Sequence, residues 1–471
     1  MHYIDWIVII SYLCLLFGII YKSRQHSQTM TDFAIDKQST PGILVFATLS
    51  ASFIGPGYTM GLTEQGFQTG LLYLFLYLGF SIQTLLIGQY IAPRLRQYKG
   101  AYTVGDIMGF HYGKIARIFT GLISLLYCAG IVGIVAQVSG RILEGAVQIP
   151  YTWGVIGSTI IVVIYSSTGG MRTVLFTDVF QFVMLSLAMS VLLFSIFIGI
   201  PNVDNVLNNI PEGFANPLHS TSFLVFSGLF LGFLLGETLV PPYTNRAFVS
   251  KDKTSAKQGF IYSGIFSIFW FAMVLTVGIV ARALYPEIDA GGSFMHMVNV
   301  YMPIGLYGMM MVAIISIIMS TQDSYLNAAS VSFVRDIIES FKVNVSDSKA
   351  LYYSKVTTFV IGILGIVFAL NAEGIIQALL LNYTFWAPTI VLPLIIGILL
   401  PDKVKPISGV VSIFTGALSV MLWEWVLEIP FGIPSLAFGI LGNQLGFWIT
   451  HYLSKNETKS ALLKSSSGCS N

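Results

Sequence analysis

Residues 51–58 read Ala51-Ser52-Phe53-Ile54-Gly55-Pro56-Gly57-Tyr58, and residues 236–243 read Gly236-Glu237-Thr238-Leu239-Val240-Pro241-Pro242-Tyr243. Each sits inside an apolar stretch, 42–62 and 222–249, of about the 20 residues needed to cross a bilayer. Proline removes a backbone donor and clashes with the preceding turn, so both stretches are predicted to be interrupted helices. Irregular backbone at membrane depth is tolerated only where it is buried in protein or lines a cavity. Paired breaks at corresponding positions of two halves point to an inverted-repeat transporter whose site lies between the broken helices. A pair of ordinary proline kinks is the simpler alternative.

Composition agrees with a membrane setting. Of 471 residues only 46 are Lys, Arg, Asp or Glu, 10 %, while 55 % are hydrophobic. So little charge cannot cover the surface of a soluble fold of this length, and a net charge of +2 offers no basic field for nucleic acid. Thirteen apolar stretches are found, near 3–21, 42–62, 71–92, 118–142, 152–167, 174–200, 222–249, 259–284, 304–334, 356–371, 374–400, 405–427 and 434–452. With the N-terminus outside, 22 of the 24 basic residues fall in loops on one side, 22–41, 93–117, 168–173, 246–258, 335–355, 401–405 and the segment after 452. Short loops obey the positive-inside rule, so the N-terminus is expected outside and the C-terminus in the cytosol. The two broken stretches, the second and the seventh, are five spans apart, and because five is odd the second half of a 5+5 repeat, spans 7–11 against 2–6, runs inverted.

Several other chemistries find no support. Cys14, Cys128 and Cys469 form neither a disulfide framework nor a metal-binding spacing. His2, His111, His219, His296 and His451 are scattered, and no nucleotide or nucleophile motif stands in context. The N-terminus lacks the basic region of a cleaved signal peptide. The fold class expected is therefore all-α and polytopic, and the chain is expected not to be an enzyme. Glu424, between Trp423 and Trp425, fits an interfacial aromatic belt.

Ionisable residues at depth are costly and face the protein interior. Asp178 lies about 9 Å beyond Arg172 along a helix, and Asp323 about 18 Å before Arg335. Ser316, Ser320, Asp323, Ser324 and Asn327 recur at helical spacing and form one polar stripe on an apolar helix. Hydroxyl, carboxylate and carbonyl oxygens suit a hard cation, and an unwound segment supplies carbonyls free of helix bonding. A sodium site between the first broken helix and the Ser320 helix is the expectation.

Four segments resemble the sodium:solute symporter family, whose members share the LeuT-like inverted-repeat fold. Residues 165–181, from Tyr165 through Gly169-Gly170 and Asp178 to Gln181, are similar to the signature at the start of core helix five. Residues 319–327 with 333–336 resemble core helix eight, 244–252 the end of core helix six, and 51–61 core helix one. The resemblance spans residues 3 to about 452 and implies broken first and sixth core helices. It also implies an extra helix at 1–21, repeats at 42–200 and 222–400, two further helices within 405–452 and a cytoplasmic tail at 453–471.

For ions it implies a main sodium site of the Ala51, Ile54 and Ile317 carbonyls with the Ser320 and Thr321 hydroxyls. A second sodium in some members matches Asp178, Ser320, Asp323 and Ser324, where Asp323 replaces what is often a hydroxyl residue. Solute contacts are expected from Gly55, Gly57, Tyr58, Gln137, Glu237, Pro241, Tyr383 and Trp386. Gly55-Pro56-Gly57 lacks the acidic residue of proline-transporting members and the side chains that sugar-transporting members use. An amine or carboxylate on the solute would suit the exposed helix ends, and Glu237 would meet a cationic group or serve a structural hydrogen bond.

The function expected is sodium-coupled import of a small organic solute, such as an amino acid or organic acid, by alternating access. The setting expected is a bacterial plasma (inner) membrane, with lipid around the chain and no obligate protein partner. Two alternatives stay open: a proton-coupled transporter using Asp178 and Asp323, and a transporter-like membrane sensor.

Overall fold

In lipid every backbone N–H and C=O must be satisfied within its own segment, so the apolar stretches fold as α-helices. A computed structural model describes residues 1–23, 29–36, 38–219, 221–341, 345–372 and 375–454. Setting aside the short connecting helices Met30–Ile35, Val203–Asn209 and Ser293–Tyr301, its helices in chain order are α1 (Tyr3–Ser23), α2 (Gly42–Phe53), α3 (Gly57–Thr69), α4 (Leu72–Leu95), α5 (Val104–Val147), α6 (Tyr151–Ser167), α7 (Gly169–Gly199) and α8 (Phe223–Leu235). They continue as α9 (Pro241–Val249), α10 (Lys253–Leu284), α11 (Leu306–Phe341), α12 (Asp347–Asn371), α13 (Ile375–Leu399), α14 (Pro406–Val426) and α15 (Ser435–Leu453). Among the described residues, nine of these are long and apolar enough to cross a membrane, or ten counting the bent pair α2–α3. The other predicted stretches fall on α6 and α8, which are shorter apolar helices, and on the 19-residue α15, which carries Asn443, Gln444 and His451. The expected tail lies outside the described residues save its first two.

Both predicted interruptions are present. The axes of α2 and α3 are bent by 71° across residues 54–56, and α8 is separated from α9 by residues 236–240. The near ends of the two broken helices are tied to each other. Thr40 and Ser250 form a short parallel bridge in which Thr40 N donates to Val249 O at 3.2 Å and Lys251 N to Thr40 O at 2.8 Å. Asp252 then caps α10 by accepting from Ser255 N at 2.7 Å, and that bond holds its carboxyl below the ordinary carboxylate range.

α10 packs along α2, α3 and α4, and α11 against α5, α6, α7, α2 and α9. Small residues permit the close approach, as at Gly66, where a Cβ would stand 2.7 Å from the Leu275 carbonyl oxygen. α1 is anchored at its N-terminal end by Asp5, which accepts from Gly305 N at 2.8 Å and Gly308 N at 2.9 Å and so caps α11. Around the breaks the interior is a dense aromatic cluster of Phe53, Tyr58, Tyr77, Phe80, Phe233, Phe271 and Tyr383, all buried.

Candidate functional site

The site is built from the broken backbone outward. α2 stops at Phe53 because Ile54 turns to ψ 69° and Pro56 cannot continue the ladder. The chain closes a tight turn there, Gly55 N donating to Phe53 O at 2.6 Å. At the second break Leu239 takes a left-handed φ of 52°, and Pro241 and Pro242 begin α9. Freed carbonyls need partners, and buried side chains supply them. Tyr77 Oη donates to Gly57 O (3.3 Å), Trp270 Nε1 to Tyr58 O (3.1 Å), Trp386 Nε1 to Thr238 O (2.8 Å) and Thr244 Oγ1 to Leu239 O (2.8 Å).

Beside the first break, α11 presents Ser320 and Thr321. Ser320 Oγ donates to Ala51 O at 3.2 Å and lies 3.5 Å from Ile317 O. Thr321 Oγ1 is buried without a hydrogen-bond partner, and a Cβ on Gly55 would be 3.5 Å from it. Of the five oxygens expected for a main sodium site, the Ala51 and Ile317 carbonyls thus both meet the Ser320 hydroxyl, and a fourth is an unsatisfied hydroxyl facing Gly55. An all-oxygen set with a spare donor fits a hard cation. Among the described residues no group of His, Cys, Asp or Glu is placed to hold another metal.

Between the two breaks lies a small cavity of about 20 Å³, bounded by Gly55, Gly57, Tyr58, Glu237, Tyr243, Thr321 and Tyr325 together with apolar side chains. That is room for about one water. Four predicted solute contacts, Gly55, Gly57, Tyr58 and Glu237, line it. Tyr383 stands directly behind, its hydroxyl 2.9 Å from that of Tyr58 and donating to Glu237 Oε1 at 3.0 Å. Tyr243 donates to Glu237 Oε2 at 2.5 Å. The remaining three lie elsewhere. Gln137 turns away and donates to the Ala372 carbonyl at 2.7 Å, Trp386 braces Thr238, and Pro241 opens α9.

The residues expected around a second sodium contain a cation of the protein's own. Arg246 has no exposed surface, and its Nη2 lies 2.8 Å from Asp178 Oδ2 and 2.6 Å from Ser324 Oγ. Thr48 donates to the same Asp178 oxygen at 2.5 Å, and Ser166 donates to Asp323 Oδ1 at 2.5 Å. The sequence reading placed Arg246 with the basic residues of loop 246–258. It is instead interior, because α9 extends to Val249 and turns this side chain toward α7 and α11. Thr48, Ser166, Tyr243, Arg246 and Tyr325 were not singled out from sequence. None carried a usable signal: Arg246 is one of four basic residues after the second break, with Lys251, Lys253 and Lys257, and charge placement assigns all four to the loop.

The polar stripe of α11 proves to serve several neighbours. Ser316 Oγ is 2.8 Å from Tyr12 Oη of α1, Ser320 meets α2, Asp323 meets α6 and Ser324 meets α9, while both amide atoms of Asn327 are buried without partners.

Interrupted helices meeting around an oxygen-lined cavity in an apolar bundle define a secondary transporter of the LeuT-like class. Comparison with known proteins makes this specific. Residues 36–405 match the model of the Sodium:solute symporter family, and the chain belongs to that family. It is 25 % identical to the sodium/pantothenate symporter of Haemophilus influenzae over 93 % of this chain and 96 % of that one. It is 23 % identical to sodium/proline symporter 2 of Staphylococcus saprophyticus over 96 % and 92 %. Its fold superposes on a substrate-bound, outward-open Na+-coupled sialic acid symporter with a TM-score of 0.84 at 18 % identity, covering 96 % of this chain and 98 % of the other. The chain is therefore a membrane-embedded, sodium-coupled transporter of small solutes.

Proposed function

We propose that the chain imports its solute by alternating access across a plasma (inner) membrane, N-terminus outside, with one sodium bound by the carbonyls of Ala51, Ile54 and Ile317 and the hydroxyls of Ser320 and Thr321. The observation that carries this reading is the contact of Ser320 with the Ala51 and Ile317 carbonyls beside the unpartnered Thr321 hydroxyl. An ion bridging these oxygens ties α2 to α11 and changes the shape of the adjoining break, where Gly55 and Gly57 border the solute cavity. Ion and solute then share the backbone of residues 54–57, and binding of each favours the other by a coupling on the order of 1–3 kcal/mol. Asp178, Asp323 and Ser324 are read as a fixed polar cluster in which Arg246 supplies the positive charge that a second ion would bring.

The test is uptake into proteoliposomes under an inward sodium gradient, beginning with pantothenate, proline and sialic acid, the solutes in the names of its relatives. Ser320→Ala and Thr321→Ala are expected to raise the sodium concentration for half-maximal uptake several-fold while changing solute affinity at saturating sodium much less. Unchanged sodium dependence in both variants would defeat the ion assignment, and uptake driven by a proton gradient without sodium would favour Asp323 as a proton carrier.

A further inference from the structure

We infer that the solute carries a cationic nitrogen and that Glu237 is the carboxylate that receives it. This rests on the reading of the cavity between the two breaks as the solute site.

Glu237 is 3 % exposed and lines that cavity. Its oxygens accept, among the described residues, only from phenol hydroxyls, Tyr243 on Oε2 and Tyr383 on Oε1. Among the described residues no Lys, Arg or His forms an ion pair with it, and the buried guanidinium of Arg246 is engaged by Asp178 and Ser324. Neutral hydroxyls satisfy the lone pairs of a carboxylate but not its charge, and a buried charge without a counter-charge is costly. Such a group in a binding cavity favours a ligand that brings the missing positive charge.

Two further features select against an anion. Among the described residues no cationic side chain lines the cavity. Of the two helices that start beside it, α9 opens with Pro241 and Pro242, so its first two positions have no N–H to offer a carboxylate or phosphate, and α3, starting at Gly57, brings only neutral backbone N–H groups toward the charge of Glu237. An anionic head placed here would meet the charge of Glu237 with no cationic side chain in the lining to offset it. Tyrosine rings, by contrast, suit an ammonium. Tyr58, Tyr243 and Tyr325 border the same space, and aromatic faces attract cations.

The geometry also shows how the carboxylate is released. Tyr383 Oη is shared between Glu237 and Tyr58, which joins α13 to α3 across the cavity. A solute enters a space of about 20 Å³ only as these rings separate, and separation frees Glu237 Oε1 for the incoming nitrogen.

The experiment measures thermal unfolding of the purified full-length protein in detergent, in sodium chloride and in potassium chloride. Choline, putrescine, L-alanine and L-proline serve as cationic-nitrogen probes, with pantothenate and glucose as probes lacking a cationic nitrogen. The expected result is sodium-dependent stabilisation by at least one cationic-nitrogen probe, with affinity reduced about thirtyfold or more in Glu237→Gln, the scale of removing one partner of a buried charge pair. Stabilisation by pantothenate or glucose alone, by no cationic-nitrogen probe, or unchanged affinity in Glu237→Gln overturns the inference. Should that variant not survive purification, Tyr383→Phe decides. Removal of the neutral donor from Oε1 is expected to tighten probe binding several-fold, and unchanged or weaker binding overturns the inference. The sodium response of the wild-type protein without probe separates the two readings. Stabilisation by sodium over potassium with no probe response sinks only the cationic solute, whereas loss of both defeats the site assignment itself.

Discussion

Arg246 illustrates what single residues contribute here. A guanidinium with no exposed surface in an apolar bundle is sustainable only because Asp178 and Ser324 meet it, with Pro242 O accepting a further bond at 3.2 Å. Removing one partner of a buried pair leaves an uncompensated charge, which destabilises by about 3–5 kcal/mol, whereas replacing both by apolar groups is often close to neutral. Arg246→Ala is therefore expected to lower the melting temperature in detergent substantially, and the double substitution Asp178→Leu with Arg246→Met to recover most of the loss. An additive outcome, with the double variant worse than either single, would show that the pair is not the unit that matters. The depth of Asp178 and Asp323 was legible because an acid far from any loop has nowhere polar to go except inward. The burial of Arg246 was not, because charge placement assigns a basic residue at a loop boundary to the loop. Which basic residue turns back into the bundle depends on where α9 ends, a tertiary matter.

Helix interruptions are the element-scale feature on which the site depends, and the two that flank the cavity were evident from their chemistry. Gly55-Pro56-Gly57 and Pro241-Pro242 each remove donors and leave carbonyls that Tyr77, Trp270, Trp386 and Thr244 then satisfy. A further one was expected as a short loop, 168–173, but takes a sharper form, which Gly113 (φ 85°, ψ −177°) repeats within α5. α6 and α7 join across Gly170, with φ 65° and ψ −175°, a conformation open essentially to glycine alone. This single residue aims α7 so that Asp178 reaches Arg246. Gly170→Ala is expected to cost about 1–3 kcal/mol, while Gly157→Ala, where a Cβ meets nothing within 4 Å, is expected to be nearly neutral. Chemical unfolding of both variants in the same detergent checks the pair, and equal stability would mean that the break relaxes without strain. The lining of the cavity was only half legible for a related reason. Which face of α5 looks at the breaks depends on its rotation, and that rotation gives Gln137 to Ala372 instead of the cavity.

At the scale of the whole molecule, the bundle is fastened at the end predicted to face the cytosol. The Thr40–Ser250 bridge joins the two broken helices there. Nearby, Arg117 pairs with Asp106 at 2.6 Å, Arg335 with Glu339 at 2.6 Å and with Asp106 at 3.4 Å, and Thr103 donates to the buried Asp336 at 2.5 Å. These pairs link α5 to the end of α11, the helix that also carries Ser320 and Thr321. Alternating access requires one end of the bundle to open while the other stays shut, so a charge network confined to one end opposes opening there. Its partly exposed pairs are each worth little, but Asp106 is shared by both arginines, and losing both leaves Asp336 buried without a nearby cation. Arg117→Ala with Arg335→Ala is therefore expected to shift the population toward the form open at this end. A cysteine at Ser52, which lines the cavity, reports the shift in a background lacking Cys14, Cys128 and Cys469. Its labelling by a membrane-impermeant maleimide in inside-out vesicles is expected to quicken several-fold in the double variant and to slow in right-side-out vesicles. Faster labelling from the opposite side would invert the assigned orientation, since the network would then close the outer end, and unchanged labelling from both sides would mean that the Thr40–Ser250 bridge alone holds the end shut.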